Sequence, residues 1–565
     1  MSKQGHRGPP GEAKGIAVPP DGDPRLLLAR ARERHRAGRT DLAEQLYRDV
    51  IAAWPGAAEP HRLLGILLAQ GRRSRDAVDE FAAAARLAPA NALYHNDLGH
   101  AYLAAERLAD AVQAYRRALE LRPDLAAAHF GLGNVFHRQG KLRDAAAAYR
   151  RAIAINPGLV PAHINLGITL QEAAEFGEAV AALRRATLLE PGLFAAHFNL
   201  GIVLAAQLRL DEAAVTYRTA LAIDPQAAPA HLNLGTALQG QDKLDEAIVS
   251  FERAIALDPT LAQAHVNLGA VLYERGAFAP ALAAIRRGLE LEPDKALTYV
   301  NLAQTLQAEG DLAGADAAFR RALSIDPTLT TAKAHWSIAL QQAGRWDEAL
   351  ALLDYPRFLR PRRLAEVEGW PSVAAFNADL AQYIYRHPTL MRDPPSKATQ
   401  HGSQTMEVLN CSDPPVAALQ RFIEESVREY HATALAPGRH PLAPVPPAAW
   451  RLHGWGVVLR ASGYQTPHFH PEAVVSGVYY VQIPAVVKTR QDGEAGFIKF
   501  GPPIDGTPGA GAGDTPLTTS FQPEEGMIIL FPSYFWHYTI PFESAEDRIC
   551  VAFDVMPDER AVPPS

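Results

Sequence analysis

Cysteine is almost absent from this chain: Cys411 and Cys550 are the only two among 565 residues. Two thiols are too few for a disulfide framework or a thiolate-rich metal site. No uninterrupted apolar run approaches the ~18 residues that a membrane span requires. The opening MSKQGHRGPPGEAKG also lacks the apolar stretch of a secretion signal. An excess of one charge is missing as well, since 55 Lys+Arg face 62 Asp+Glu for a net charge of -7. So mild an acidic balance gives nucleic acid no electrostatic footing. These absences predict a cytoplasmic protein without membrane or nucleic-acid partners. At 48% hydrophobic and 21% charged residues, the composition is that of a globular chain.

Proline, by contrast, is abundant and regularly spaced. Pro55, Pro89, Pro123, Pro157, Pro191, Pro225, Pro259, Pro293, Pro327 and Pro361 each stand 34 residues apart. Gly65, Gly99, Gly133, Gly167, Gly201, Gly235 and Gly269 keep the same phase, as do Ala145, Tyr149 and Ala152 within one unit. A fixed period of this length is the mark of a repeat architecture. Within AAHFGLGNVFHRQGKLRDAAAAYRRAIAINP two apolar-periodic segments flank Gly-Lys, and proline ends the second. The pattern resembles the tetratricopeptide repeat over ten units, 24–363, which implies twenty helices stacked into a superhelix with a concave inner face.

Two polar ladders keep the repeat phase. His61, His95, His129, His163, His197, His231 and His265 share one position, continued by Tyr299. Asn165, Asn199, Asn233, Asn267 and Asn301 share another, two residues on. Rungs on stacked units stand ~10 Å apart, too far for neighbouring histidines to share a metal ion. The ladders read either as a solvated groove with packed histidines or as a peptide-binding face, each amide offering a donor and an acceptor to a main chain. The repeats resemble those of O-GlcNAc transferases, and the resemblance implies that the five asparagines hold a peptide or protein partner in the concave groove. On that reading the amides should be exposed and unpaired with their own helices.

After about Arg363 the period is lost, so no strand is expected before residue 364. AAFNADLAQYIYRHP and PPVAALQRFIEESVREYHATAL read as helices, APGRHPLAPVPPAAW as a connector, and WGVVLRA, VVSGVYYVQIP, GFIKFG, EGMIILFPS and DRICVAFDV as strands. The predicted layout is a disordered tail over 1–23, ten repeats over 24–363, a helical lead-in with proline-rich connector over 364–448, and a β-sandwich or jelly roll over 449–565. The fold class is thus an all-α solenoid followed by a mainly β domain. GPPIDGTPGAGAGDTP reads as a surface loop or a lid.

Three features carry chemistry. His468 and His470 stand at i and i+2, so on a strand both imidazoles face one centre. His537 follows the apolar strand MIILFPS, and Arg548 opens the strand RICVAFDV. Arg548, Cys550 and Ala552 share a face, and two small residues below an arginine leave room for a dicarboxylate gripped by two parallel hydrogen bonds.

This order of histidine pair, distal histidine and arginine resembles the 2-oxoglutarate/Fe(II) oxygenases. HFHPEAVVSGVYYV, LFPSYFWHYTIPF and RICVAFD are similar, more narrowly, to a bacterial and phage oxygenase family with an H-x-H-P…S-G-V-Y-Y signature. The resemblance implies a double-stranded β-helix, Fe(II) held by His468, His470 and His537, and 2-oxoglutarate held by Arg548 with Tyr479 nearby. It also implies hydroxylation coupled to decarboxylation of the cosubstrate. Most such enzymes carry a carboxylate where this chain has His470, and Glu472 is the alternative ligand. Two other readings stand beside the hydroxylase: a cupin-like metal enzyme, and a non-catalytic tetratricopeptide scaffold for protein–protein interaction.

Overall fold

The computed structural model describes residues 23–394, 397–435, 440, 443, 449–489, 493–501 and 517–558. The expected tail, most of the proline-rich connector and nearly all of the Gly/Pro-rich loop lie outside the described residues. Residues 1–257 and 258–565 form two compact units.

In the first unit fourteen helices follow one another from Pro24 to Leu257. The pair Ala126–Arg138 and Leu142–Ile155 shows why the pattern folds this way. Leu142–Ile155 buries Ala145, Ala146, Tyr149 and Ala152 on one face and stops at Asn156, ahead of Pro157, which cannot continue a helix. Gly133 lets the partner helix approach, because a Cβ there would sit 2.4 Å from Cε1 of Tyr149. The histidine ladder belongs to the same construction. In His95, His129, His163, His197 and His231, Nε2 bonds the carbonyl of the proline six residues earlier at 2.9–3.2 Å. Each imidazole thus satisfies a carbonyl left over at a helix end. His61 departs from the rule and pairs with Glu80 at 2.6 Å.

The second unit begins with six more helices of the same kind, Ala262–Glu274 to Trp346–Leu353, followed by one turn at Tyr355–Phe358. The strands are β1 (Arg360–Arg363), β2 (Met391–Arg392), β3 (Thr399–Gln404), β4 (Trp450–His468), β5 (Val475–Gln482), β6 (Ile498–Phe500), β7 (Thr519–Phe521), β8 (Met527–Pro532), β9 (His537–Thr539) and β10 (Arg548–Pro557). They form one curled antiparallel sheet in the order β1-β8-β5-β10-β4-β9-β6-β7, with β3 also on β4 and β2 on β3. The sheet is consistent with a jelly roll. Helices Val373–Arg386 and Pro414–Thr433 appear where the sequence places them.

Strand β1 corrects the expectation that no strand precedes residue 364. The last proline of the ruler, Pro361, does not stop a helix; it pairs with Ile529 on the sheet edge. An edge strand tolerates a residue without an N–H, and its arginines discourage pairing with other chains. One hydrophobic core runs from Val300, Phe319 and Leu340 of the last repeats to Phe376, Tyr479 and Phe553 of the sheet domain. No described helix is long and apolar enough to cross a membrane.

Candidate metal centre

Antiparallel pairing of β4 with β9 sets His468 directly opposite His537. His470 lies just past the end of β4, held extended by its N–H bond to the carbonyl of Ser533 at 2.9 Å. All three imidazoles therefore turn to one side, and one ligand atom from each lies within 4.8 Å of the other two. Ring centroids are 4.3, 5.3 and 5.1 Å apart for 468–537, 468–470 and 470–537.

Every Nδ1 in this cluster is occupied. His468 Nδ1 donates to Thr466 O at 2.6 Å and His537 Nδ1 to Phe535 O at 3.0 Å. His470 Nδ1 donates to both carboxylate oxygens of Asp554, at 2.7 and 2.8 Å. Asp554 is held in turn by the Ser476 hydroxyl at 2.6 Å. These bonds fix the tautomers and leave each Nε2 for the shared centre, the arrangement in which an outer acceptor orients a metal-binding imidazole. Nε2 of His470 is buried without a hydrogen-bond partner among the described residues. Burial, reinforced by the neighbouring imidazoles, pushes His468 down to about 4 and His537 well below the ordinary histidine value. Neutral imidazole is the form that binds metals.

Glu472 does not join the three. It sits exposed in the turn after His470 and lines the outer cleft.

Arg548 lies across the same cavity, which His468, His470, His537, Cys550 and Ala552 also line. It is 1% exposed, yet its Nε and Nη1 have no hydrogen-bond partner among the described residues. A buried guanidinium with free donors is costly unless an anion answers it. Its guanidinium carbon lies 5.2 Å from the ring centroid of Tyr480. Tyr479 faces the opposite way on β5 and donates its hydroxyl to Asn377 Oδ1 at 2.7 Å. Outside this cavity opens a cleft of about 570 Å³, walled by Trp455, Phe469, Met406 and the Glu407–His453 pair. Trp455 lines both spaces and stacks on His470 at 5.7 Å and 21°. His453 bonds Glu407 at 2.5 Å, which raises the imidazole and holds the carboxyl below its usual range.

The asparagine ladder is half-buried throughout, and the expectation of free amides needs correcting. Asn165 Nδ2 donates to Asn134 Oδ1 at 2.9 Å, which also accepts from the Tyr149 hydroxyl at 2.8 Å. Asn199 donates to Ala195 O of its own helix at 2.8 Å, and Asn267 accepts from Gln263 at 2.6 Å. Asn233 bonds the buried Tyr217. Short amides one turn from a carbonyl or beside a buried phenol satisfy themselves locally. Asn301 is half-buried like the others. Around Asn134, Asn165, Tyr149, His137 and Arg138 a polar cavity of about 300 Å³ opens.

Sequence reasoning missed Asp554 and Ser476; it named Tyr480 only beside Tyr464 and Tyr479 as a possible pocket wall. Alternation along β10 carried one step beyond Arg548, Cys550 and Ala552 reaches Asp554, so that signal was present.

Residues 453–554 match the family model described as "Putative 2OG-Fe(II) oxygenase". Tetratricopeptide-repeat models match 28–92, 96–160, 164–228, 241–276 and 296–329. The chain joins tetratricopeptide repeats to a domain that matches the "Putative 2OG-Fe(II) oxygenase" family. Solved structures similar to it are repeat proteins. YrrB, described as "a TPR protein with an unusual peptide-binding site", is 25% identical over 33% of this chain and 95% of its own, with a TM-score of 0.31. Cut9–Hcn1 of the APC/C is 18% identical over 50% of this chain and 55% of its own, TM-score 0.36. PilF of Pseudomonas aeruginosa is 20% identical over 38% and 96%, TM-score 0.34. No curated protein matches the chain.

The oxygenase family implies Fe(II) and 2-oxoglutarate, and the residues present suit both. The triad presents an unpartnered, buried Nε2 on His470, and Arg548 presents two unpartnered donors in the same cavity.

Proposed function

We propose that the protein is a 2-oxoglutarate- and Fe(II)-dependent hydroxylase whose repeats bind a peptide or protein substrate. The observation that carries this reading is the shared cavity: three imidazoles with every Nδ1 tied down, and a buried arginine with free donors opposite them. His468, His470 and His537 would hold the iron, and Arg548 the distal carboxylate of the cosubstrate through charge-assisted bonds. Tyr480, beside Arg548, takes the supporting place expected of Tyr479. When bound, iron and 2-oxoglutarate with O2 supply the oxidation: a substrate C–H becomes C–OH while 2-oxoglutarate becomes succinate and CO2. The chain's own work is to bind, orient and keep the site dry. Asp554 anchors His470 and adds a negative charge behind a ligand set that lacks one. Trp455 separates the inner cavity from the outer cleft, where the substrate would enter.

The repeats supply capture. A partner main chain would compete for the amides of Asn165, Asn199, Asn233 and Asn267 that now bond locally, at a net ~0.5–1.5 kcal/mol per contact, so several rungs must act together. A turnover assay with metal analysis tests the reading. Iron-dependent conversion of 2-oxoglutarate to succinate, abolished by His537→Ala, is expected. Bound metal without cosubstrate consumption would favour a cupin-like enzyme, and neither would leave a scaffold.

A further inference from the structure

Behind the triad stands a second set of rings. Phe469 separates His468 from His470 in sequence, and Trp536 immediately precedes His537. Their side chains pack together at 4.8 Å and 62°. The imidazole of His335, on helix Thr330–Gln342 of the last repeat, meets both edge-on: 5.6 Å and 90° from Phe469, 5.8 Å and 82° from Trp536. The same helix is fastened to both ligand-bearing segments. Trp536 Nε1 donates to Ala334 O at 3.2 Å, and Thr330 Oγ1 to Ala473 O at 3.4 Å. Lys333, one residue before Ala334, is buried with its ammonium 5.7 Å from the ring centroid of Tyr534.

Each of the three histidines is thus a chain neighbour of a ring that His335 touches. Successive residues of an extended chain point to opposite sides, so fixing Phe469 and Trp536 from behind fixes the direction of the histidines in front. We propose that His335, a residue of the last repeat, is a positioning residue for the histidine triad, wedging Phe469 and Trp536 so that the three imidazoles stay convergent. This rests on the triad being the metal site proposed above. The edge of a flat ring fills the space between two other rings, which an aliphatic side chain of similar bulk does not reproduce. Accordingly the oxygenase domain extends functionally into the repeats, upstream of the residues its family model matches.

Co(II) titration of the full-length protein, followed by visible absorption, tests this without relying on turnover. His335→Ala should weaken Co(II) binding by about tenfold, the lower end of what loss of an outer support costs a metal site, and should alter the absorption envelope. His335→Phe, which keeps a flat ring, should restore both. Leu340→Ala, buried on the same helix, should lower thermal stability and leave the Kd unchanged. Should His335→Ala fail to fold, His335→Leu is read in its place with the same expectation. Wild-type affinity in His335→Ala or His335→Leu would overturn the proposal. So would equal weakening by Leu340→Ala, or failure of His335→Phe to recover binding. No Co(II) binding by the wild type would instead bring down the triad reading itself.

Discussion

At the scale of single residues the site depends on side chains that touch its ligands from outside. Asp554 accepts the His470 Nδ1 proton and is the one carboxylate bonded to the triad among the described residues. Asp554→Asn keeps the shape and removes the charge, so metal affinity should fall about 10–100-fold while the fold persists; a competitive chelator titration measures it. The histidines also make a pH prediction for the metal-free protein. His468 is held at about 4 in the folded state against an ordinary 6.5, and His537 is displaced in the same direction. Between those values the unfolded chain binds more protons, so stability falls as pH drops from 6.5 toward 4, by up to about 3 kcal/mol for His468. Urea unfolding in the presence of chelator should give a lower midpoint at pH 5 than at pH 7, and His468→Asn should flatten the slope. His468, His470, His537 and Arg548, which line one cavity, were singled out from their order in the chain together with the resemblance to the oxygenases. Tyr479 and Tyr480 are adjacent and chemically alike, so only the pleat of β5 decides which one meets Arg548.

Among elements, the repeat helices were legible in number and phase, because glycine and proline impose local rules. A Cβ at Gly133 would fall 2.4 Å from the Tyr149 ring. Gly133→Ala should therefore cost about 1–3 kcal/mol in overpacking, and Tyr149→Leu should not relieve it, since a Cβ at Gly167 would meet Leu183 just as closely, at 2.5 Å. Equilibrium denaturation of the single and double variants checks this. The end of the array was not legible. Pro361 keeps the phase, but Arg360–Arg363 leaves the helical pattern to pair with Met527–Leu530, more than 160 residues away in sequence. Periodicity reports local structure and is silent about a distant strand that offers an unfilled edge. At the asparagine ladder the rungs were legible, but not the neighbours that bond Asn165, Asn199, Asn233 and Asn267.

For the molecule as a whole, sequence assigned the chemistry to the C-terminal domain and capture to the repeats, with a boundary near residue 363. The structure softens that boundary within residues 258–565. A common core and the His335 contacts make the last repeat part of the domain that holds the histidines. Such contacts join residues 134 and 201 positions apart, and no pattern in the chain announces them. The central claim is that one cavity brings a three-histidine metal site and a cosubstrate arginine together. Calorimetric titration of 2-oxoglutarate into the Fe(II)-loaded protein without oxygen tests it most directly, alongside Arg548→Gln. The account predicts one cosubstrate bound per metal in the wild type. In Arg548→Gln it predicts unchanged metal content and cosubstrate affinity weaker by at least about tenfold, the loss of a charge-assisted pair. Equal 2-oxoglutarate affinity in the two proteins, or cosubstrate binding that ignores the metal, would contradict it.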